Sequence, residues 1–118
     1  MYGAILGDII GSPYEFDRGN KSKAFPLFSE ESAFTDDTVM TIAVAEAFLD
    51  AQGVTNADRI RKKSVESMHK WGERYPDAGY GSRFGMWLFL GGDEPYGSFG
   101  NGAVHINTPK MPDVKRKL

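Results

Sequence analysis

The stretch FTDDTVMTIAVAEAFLDAQG, residues 34–53, constrains the fold of this chain more than any other. Between Val39 and Leu49, apolar residues cover nearly every side of the predicted helix. Thr35 or Asp36 suits its N-cap, acids follow where the helix dipole favours them, and Gly53 stands just past the end. Because a helix that is apolar all round must be covered by other elements, we expect it to lie at the centre of the fold.

The N-terminal stretch MYGAILGDIIG combines two features that are costly in a helix. Gly3, Gly7 and Gly11 form a stripe of small residues, and glycine costs about 0.5–1 kcal/mol relative to alanine in a helix interior. Asp8 places a carboxylate among apolar neighbours, which costs more unless the charge is paired. We predict a helix over residues 2–12 whose small stripe lets another backbone approach closely.

Two further segments have helical features. A stripe of apolar residues at three- and four-residue spacing predicts a third helix, which starts near Thr55 or Asn56 and runs to about Tyr75. The short apolar run FGMWLFL, residues 84–90, is compatible with a buried helix or a strand. We expect a helix there, because nothing else in the chain alternates like a strand. The sequence as a whole therefore predicts an all-α helical bundle.

Composition narrows the classes of function. The 118 residues carry a formal net charge of −2 and contain no cysteine. This charge argues against a nucleic-acid partner, whose binding domain is usually strongly basic. The absence of cysteine excludes disulfides, thiolate catalysis and cysteine-ligated metals. No run approaches the roughly 18 apolar residues of a membrane span, and the first residues lack the basic start of a signal peptide, so we expect a soluble cytoplasmic domain.

Thr35, Asp36, Asp37 and Thr38 place two carboxylates and two hydroxyls at the start of the apolar helix. Hard oxygen donors of this kind suit a divalent ion such as Mg²⁺ or Mn²⁺. The same residues also serve as an ordinary helix cap that complements the dipole. Both interpretations stay open from the local sequence, although a helix too apolar for the surface favours the metal.

The stretch YGSFGNGA, residues 96–103, is a candidate cradle for an anion. Glycines let backbone N–H groups approach phosphate oxygens, and Ser98 and Asn101 can add side-chain hydrogen bonds. The stretch matches neither the P-loop nor the dinucleotide-binding fingerprint. A plain flexible loop is the alternative interpretation.

Glu15 lies between Tyr14 and Phe16, just after the first predicted helix. Burial between these aromatic rings would suit its carboxyl to acid–base work, and a surface glutamate is the alternative. We assign no metal role to the two histidines, His69 and His105, because neither has a second ligand at suitable spacing. Four residues of the later loop and helix could line a pocket or serve only in a turn: Asp77, Tyr80, Arg83 and Trp87.

Four motifs follow one another along the chain: G-A-x-x-G-D-x-x-G-S-P-Y-E-F, F-T-D-D-T-x-M-T-x-A, D-A-G-Y-G-S-R-F and S-F-G-N-G-A. In this order, over residues 3–103, they closely resemble the N-terminal part of the ADP-ribosylglycohydrolase family. The resemblance implies an all-helical fold and a site with two divalent metals, usually Mg²⁺ or Mn²⁺. It also implies a hydrolase that cleaves the glycosidic bond between ADP-ribose and a modified side chain or small molecule.

The resemblance assigns roles to particular residues. Thr35, Asp36 and Asp37 match the family's first metal-ligand cluster, and Glu15 matches an acid that is proposed to act in catalysis. The loop that holds ADP-ribose is matched by a run of four residues: Ser98, Phe99, Gly100 and Asn101. Asp8 is then a polar support behind the metal-side residues rather than a ligand.

The chain departs from the family pattern after residue 103. Family members are considerably longer, and their second half supplies another aspartate-rich cluster that completes the metal site. We therefore expect residues 1–103 to be an incomplete domain of this family and residues 104–118 to be a divergent tail. The candidates are a hydrolase with an incomplete metal site, a truncated homologue that binds ADP-ribose without cleaving it, and a non-catalytic helical fragment. Apolar helix faces left uncovered would favour a homo-oligomer.

Overall fold

Helices make up the regular structure of this chain. The computed structural model describes residues 1–16 and 22–97, and it contains no strand within these ranges. The elements are, in order, α1 (Tyr2–Gly11), a short 3-10 helix (Ser12–Tyr14), α2 (Asp36–Asp50), α3 (Ala57–Arg74) and α4 (Ser82–Phe89). The all-α prediction is confirmed. No helix in the described ranges is both long enough and apolar enough to cross a bilayer.

Side-chain caps explain where α2 and α3 begin. The Thr35 hydroxyl accepts a hydrogen bond from the Asp37 N–H at 3.4 Å, and the Asn56 side chain accepts one from the Arg59 N–H at 3.1 Å. Past the end of α2, Gly53 has a φ of +79°, a left-handed conformation that glycine adopts without strain. The predicted helix bounds agree with the structure to within about two residues, because the signals that set them are local.

The core lies where α2, α3 and α4 meet. Five buried side chains form it: Val39, Met40, Ala43, Met68 and Leu88. Partly buried aromatic residues pack around it, among them Trp71, Tyr75, Tyr80, Phe84 and Trp87. The small side chains of Ala43 and Ala47 are almost completely buried, which keeps α3 close to α2. The prediction that α2 is the central helix is confirmed for its first half.

A polar contact joins the other side of the α2–α3 pair. The Glu46 carboxylate accepts hydrogen bonds from Lys70 Nζ at 2.7 Å and from Trp71 Nε1 at 2.8 Å. Ser67 Oγ lies 3.1 Å from the same carboxylate and donates to the Ala43 carbonyl at 2.7 Å. The hydrogen bond from Lys70, followed by that from Trp71, holds the pKa of Glu46 below its usual value. These contacts fix the rotation of α3 against α2.

Two expectations about burial are wrong for the described part of the chain. A Cβ atom added at Gly3, Gly7 or Gly11 would meet nothing within 4 Å, so the glycine stripe does not bring α1 against another helix. Phe48 and Leu49 are 52% and 65% exposed, so one side of the last turns of α2 is not covered, although Ala47 and Ala51 are buried. Both differences have one cause, since α3 packs along one side of α2 and α1 is joined only to its N-terminal end.

Helices α3 and α4 approach closely at Gly72. A Cβ atom added there would lie 2.8 Å from Leu88 Cγ, closer than such atoms approach in proteins. Leu88 is only 3% exposed and belongs to the core. Gly72 therefore lets α4 place Leu88 directly against the backbone of α3.

We expect Gly72→Ala to lower the free energy of unfolding by about 1–3 kcal/mol, because the added methyl group must displace Leu88. Gly85→Ala is the matched control, since a Cβ at this helical glycine would lie 3.8 Å from Tyr80 Cβ, an ordinary contact. The control gains the helix propensity of alanine, up to about 1 kcal/mol. Urea unfolding of the two variants measures the difference, and equal stabilities would contradict the close approach at Gly72.

Candidate functional site

The carboxylate of Asp8 joins α1 to the start of α2. Its Oδ2 atom accepts hydrogen bonds from the Thr35 N–H at 2.8 Å, the Thr38 N–H at 3.2 Å and the Thr38 hydroxyl at 2.5 Å. Its Oδ1 atom accepts one from the Thr35 hydroxyl at 2.5 Å. Two of these donors are backbone N–H groups of the kind that helix starts leave unpaired. Both oxygens of the half-buried carboxylate thus accept hydrogen bonds, and these bonds offset the free-energy cost of placing a charge in an apolar helix.

Asp36, the first residue of α2, lies in a crowded acidic environment. Its backbone N–H donates to the Ala78 carbonyl at 2.8 Å, so the loop before α4 is joined to the start of α2. The side chain is half-buried, and this burial raises its pKa to about 6. The negative charges of Asp37, Glu15 and Asp8 contribute in the same direction, in that decreasing order. Three other carboxyl groups therefore act on Asp36 at the N-terminus of α2.

The phenol of Tyr80 lies close enough to Asp36 to feel its charge. Its hydroxyl oxygen is buried and has no hydrogen-bond partner among the described residues. Burial, and secondly the charge of Asp36, raises the pKa of Tyr80 to about 12. Its ring packs edge-on against Phe84 and Phe89. Tyr80, one of the four loop residues that could line a pocket, is thus influenced by Asp36, and its place in the DAGY motif was the available signal.

Glu15 is exposed, as the interpretation of a surface glutamate predicted, and it is not buried between two aromatic rings. It follows the 3-10 helix, and its N–H lies 3.5 Å from the Ser12 carbonyl. Tyr14 turns to Phe25 instead, with ring centroids 5.2 Å apart, and Phe16 is 86% exposed. Glu15 is nevertheless near enough for its charge to act on Asp36.

The predicted cation ligands share one helix start without forming a closed cage. Thr35 acts as the N-cap, because its Oγ1 accepts from the Asp37 N–H while it donates to Asp8. In the two ranges that the structure describes, no three histidine, cysteine, aspartate or glutamate side chains converge in a way that could hold a metal ion. The capping interpretation is therefore observed directly, and Asp36 and exposed Asp37 remain as adjacent oxygen donors.

Two shallow clefts lie between α2 and α3 rather than at the acidic residues. One, of about 180 Å³, is polar and is lined by Glu46, Asp50, Lys63, Glu66, Ser67 and Lys70. The other, of about 100 Å³, is lined by Phe34, Thr38, Val39, Ile42, Trp71 and Tyr75. Neither lining includes Asp36 or Asp37.

The predicted ADP-ribose residues lie outside the described part of the chain, as does the expected boundary between residues 103 and 104. They are Ser98, Phe99, Gly100 and Asn101. Thr38 is a site residue whose contact with Asp8 the sequence reasoning missed, although its spacing of three from Thr35 places both hydroxyls on neighbouring positions of one helical turn.

We expect Asp8→Ala to lower the free energy of unfolding by about 2–4 kcal/mol, because two N–H groups and two hydroxyls lose their acceptor. Asp8→Asn should cost clearly less, since its amide oxygen can still accept from the two N–H groups. Urea unfolding of both variants measures the costs. Equal costs for alanine and asparagine would show that hydrogen bonding by Asp8 does not join the two helices.

In the absence of a cation, we expect ionisation of Asp36 to oppose folding as the pH rises. The pKa of Asp36 is about 6 in the folded chain against an ordinary value of 3.8. The stability that protonated Asp36 provides at low pH is therefore lost as the pH rises from the lower value to the higher one. The loss is on the order of 1 kcal/mol, because solvent screens a half-exposed carboxyl. Asp36→Asn should remove this loss, whereas Asp58→Asn, at the first-turn acid of α3, should keep it.

The measurement is thermal unfolding of wild type and both variants from about pH 3 to about pH 7.5 in a chelating buffer, a range that spans both pKa values. The informative quantity is the stability of wild type minus that of Asp36→Asn. A difference that grows with pH would contradict the assigned environment of Asp36.

Comparison with known families gives one match that extends over nearly the whole chain. The ADP-ribosylglycohydrolase family matches residues 1–109 of the 118. Searches of curated proteins and of solved structures gave no significant match. The matched region includes α1 to α4 and the Gly-rich stretch that follows, and the all-α architecture agrees with the resemblance of the four motifs. This chain belongs to the ADP-ribosylglycohydrolase family.

Proposed function

We propose that this chain acts in the hydrolysis of the glycosidic bond that joins ADP-ribose to a modified side chain or small molecule, with a divalent cation bound at the start of α2. Family membership supports the reaction class. The observation that carries the site is the half-buried Asp36 carboxyl, whose pKa is raised to about 6 by burial and by the carboxylates of Asp37 and Glu15. Asp8 adds to this effect while it holds the Thr35 cap in place.

The donor set fits an oxygen-seeking cation in its chemistry. Asp36 and Asp37 supply carboxylates on consecutive residues, and the Thr35 hydroxyl is oriented by its hydrogen bond to Asp8. Positive charge at this place would offset the mutual repulsion of the acids and favour ionised Asp36. Three protein oxygens are fewer than the six that Mg²⁺ takes, so water or further residues would complete the shell. A bound cation supplies Lewis-acid polarisation of ribose oxygens and lowers the pKa of a bound water.

The remaining roles fall to residues of the chain itself. Glu15, exposed at the end of the 3-10 helix, would exchange a proton with the water that attacks the ribose, as the family resemblance implies. Ser98, Phe99, Gly100 and Asn101 would bind the ADP-ribose phosphates and ribose, as the family resemblance implies. Backbone N–H groups of this Gly-rich stretch suit phosphate oxygens, because glycine lets a ligand approach the backbone.

A second candidate is binding of ADP-ribose without cleavage. The observation that favours it is that, among residues 1–16 and 22–97, the acids near the start of α2 do not form a group of three side chains that could hold a metal ion. A cation held by two carboxylates and a hydroxyl would bind weakly. Its loss would reduce the rate of hydrolysis more than the affinity for ADP-ribose.

The two candidates differ in turnover, which defines the experiment. Release of ADP-ribose from an ADP-ribosylated protein is measured with Mg²⁺, with Mn²⁺ and with a chelator, and calorimetry measures binding of Mn²⁺ and of ADP-ribose. We expect Asp36→Asn to weaken Mn²⁺ binding at least about tenfold, with Asp58→Asn unchanged. Glu15→Gln should slow release by about a hundredfold or more at unchanged Mn²⁺ affinity, with exposed Glu30→Gln as its control.

The outcomes separate cleanly. Cation-dependent release supports hydrolysis, whereas ADP-ribose binding with no release at any cation concentration supports the binding candidate. If the chain neither binds ADP-ribose nor releases it from a modified protein, both candidates are overturned. Equal Mn²⁺ affinities of wild type and Asp36→Asn would show that the start of α2 does not bind the cation.

A further inference from the structure

His69 on α3 lies between two carbonyl oxygens of the chain that ends α4. Its Nδ1 atom is 2.7 Å from the Leu88 carbonyl oxygen, and its Nε2 atom is 2.7 Å from the Gly92 carbonyl oxygen. Both distances are those of short N–H···O hydrogen bonds. The imidazole thus bridges the last turn of α4 and the segment that follows it.

The two acceptors set a requirement on the charge of the ring. A neutral imidazole has one N–H group and one lone pair, whereas an imidazolium has two N–H groups. A carbonyl oxygen cannot donate, so a neutral ring would point its lone pair at one of the two oxygens. Only the doubly protonated form satisfies both contacts, and this follows from the heavy-atom positions whichever tautomer is assigned.

Further contacts hold His69 and the segment after α4 in place. The His69 ring stacks on Trp87 of α4, with centroids 5.1 Å apart. Trp87 Nε1 donates to the Glu94 carbonyl at 2.9 Å, and the Gly92 N–H donates to the Trp87 carbonyl at 2.8 Å. A Cβ atom at Gly92 would lie 2.6 Å from the indole Cγ, so no other residue fits there without displacement.

Other charged groups face this cluster from the neighbouring elements. On α3, Arg61 Nη1 lies 3.4 Å from the Glu94 carboxylate and donates to the Asp93 carbonyl at 3.1 Å. Arg83 on α4 lies 6.0 Å from the centre of the Tyr96 ring, which is next to Trp87. Glu66, Lys70 and Glu73 are the ionisable residues within four positions of His69 along α3. Glu66 pairs with Lys62 and Lys70 pairs with Glu46, so these two already have partners.

We propose that His69 is a positioning residue which, as an imidazolium, clamps residues 89–92, beyond the core residue Leu88, onto α3 and releases them when it loses one proton. The clamp ends six residues before Ser98, so it sets where the chain enters the stretch that we assign to ADP-ribose binding. This consequence for the ligand rests on the proposed function. The clamp itself does not, because it depends only on contacts within the described residues.

The clamp is tested by NMR on the full chain. Histidines ordinarily change charge near about pH 6.5, so ¹⁵N shifts of the His69 ring and exchange of the Gly92 amide are followed from about pH 5.5 to about pH 8. We expect two protonated ring nitrogens and a protected Gly92 amide at the acidic end. Loss of one ring proton should coincide with at least about fivefold faster opening of Gly92.

Two variants separate the clamp from general stability. His69→Gln has one amide nitrogen and cannot donate to two opposed carbonyls, so Gly92 protection should be low and independent of pH. His105→Gln, at the only other histidine of the chain, should keep the wild-type pH dependence. The Ala43 amide in the core reports whether each variant is folded. Should His69→Gln fail to fold, the titration of wild type decides the question alone.

A single protonated ring nitrogen at the acidic end, or Gly92 protection that does not change with pH, would overturn the clamp. Calorimetry with ADP-ribose over the same pH range tests its consequence, and we expect affinity to fall in wild type as the ring loses its proton and to stay constant in His69→Gln. Absence of ADP-ribose binding at every pH would contradict the proposed function, and the NMR result would still decide the clamp.

Discussion

The hydrogen bonds between the Asp8 carboxylate and the start of α2 are the interaction on which the candidate site depends. No residue of α1 is fully buried in the described structure, and among its apolar residues only Ile5, Ile9 and Ile10 are partly covered. The carboxylate instead gathers four donors from Thr35 and Thr38. Hydrogen bonds to an ionised acceptor are about twice as strong as neutral ones. This one side chain therefore sets both the position of α1 and the orientation of the N-cap beside Asp36.

The acids around that N-cap form the candidate site, and they also oppose folding. Burial of Asp36, with Asp37 and Glu15 nearby, makes its ionised form unfavourable in the folded chain. The unpartnered Tyr80 hydroxyl is a further polar atom buried without compensation within the described ranges. Such local costs are expected where a site is arranged for a ligand rather than for stability. They are offset elsewhere by the α2–α3 core and by the contacts of Glu46.

The packing of α3 on α4 connects that core to the chain beyond it. Gly72 brings Leu88 against the α3 backbone, and Gly92 brings the next segment against Trp87. His69 lies between these two close contacts and binds a carbonyl oxygen from each side. The route from the core to the Gly-rich stretch is thus defined by two glycines, one indole and one imidazole.

Local signals in the sequence determined the helices and the family of this protein. The bounds of α2 and α3 followed from Thr35, Asn56 and Gly53, because caps act within a few residues along the chain. The four motifs identified the ADP-ribosylglycohydrolase family, which the match over residues 1–109 confirmed. The family resemblance implied that Asp8 is a polar support, and its hydrogen bonds to Thr35 and Thr38 agree with that interpretation.

Only the tertiary structure decided what each side chain faces. Asp8 finds its donors 27 and 30 residues away, and His69 finds its acceptors 19 and 23 residues away. The exposure of Glu15 and the open glycine stripe of α1 likewise depend on which elements pack nearby. The physical reason is that caps and periodicity act on the backbone within a turn or two. Burial, charge environment and hydrogen-bond partners are instead set by distant parts of the chain.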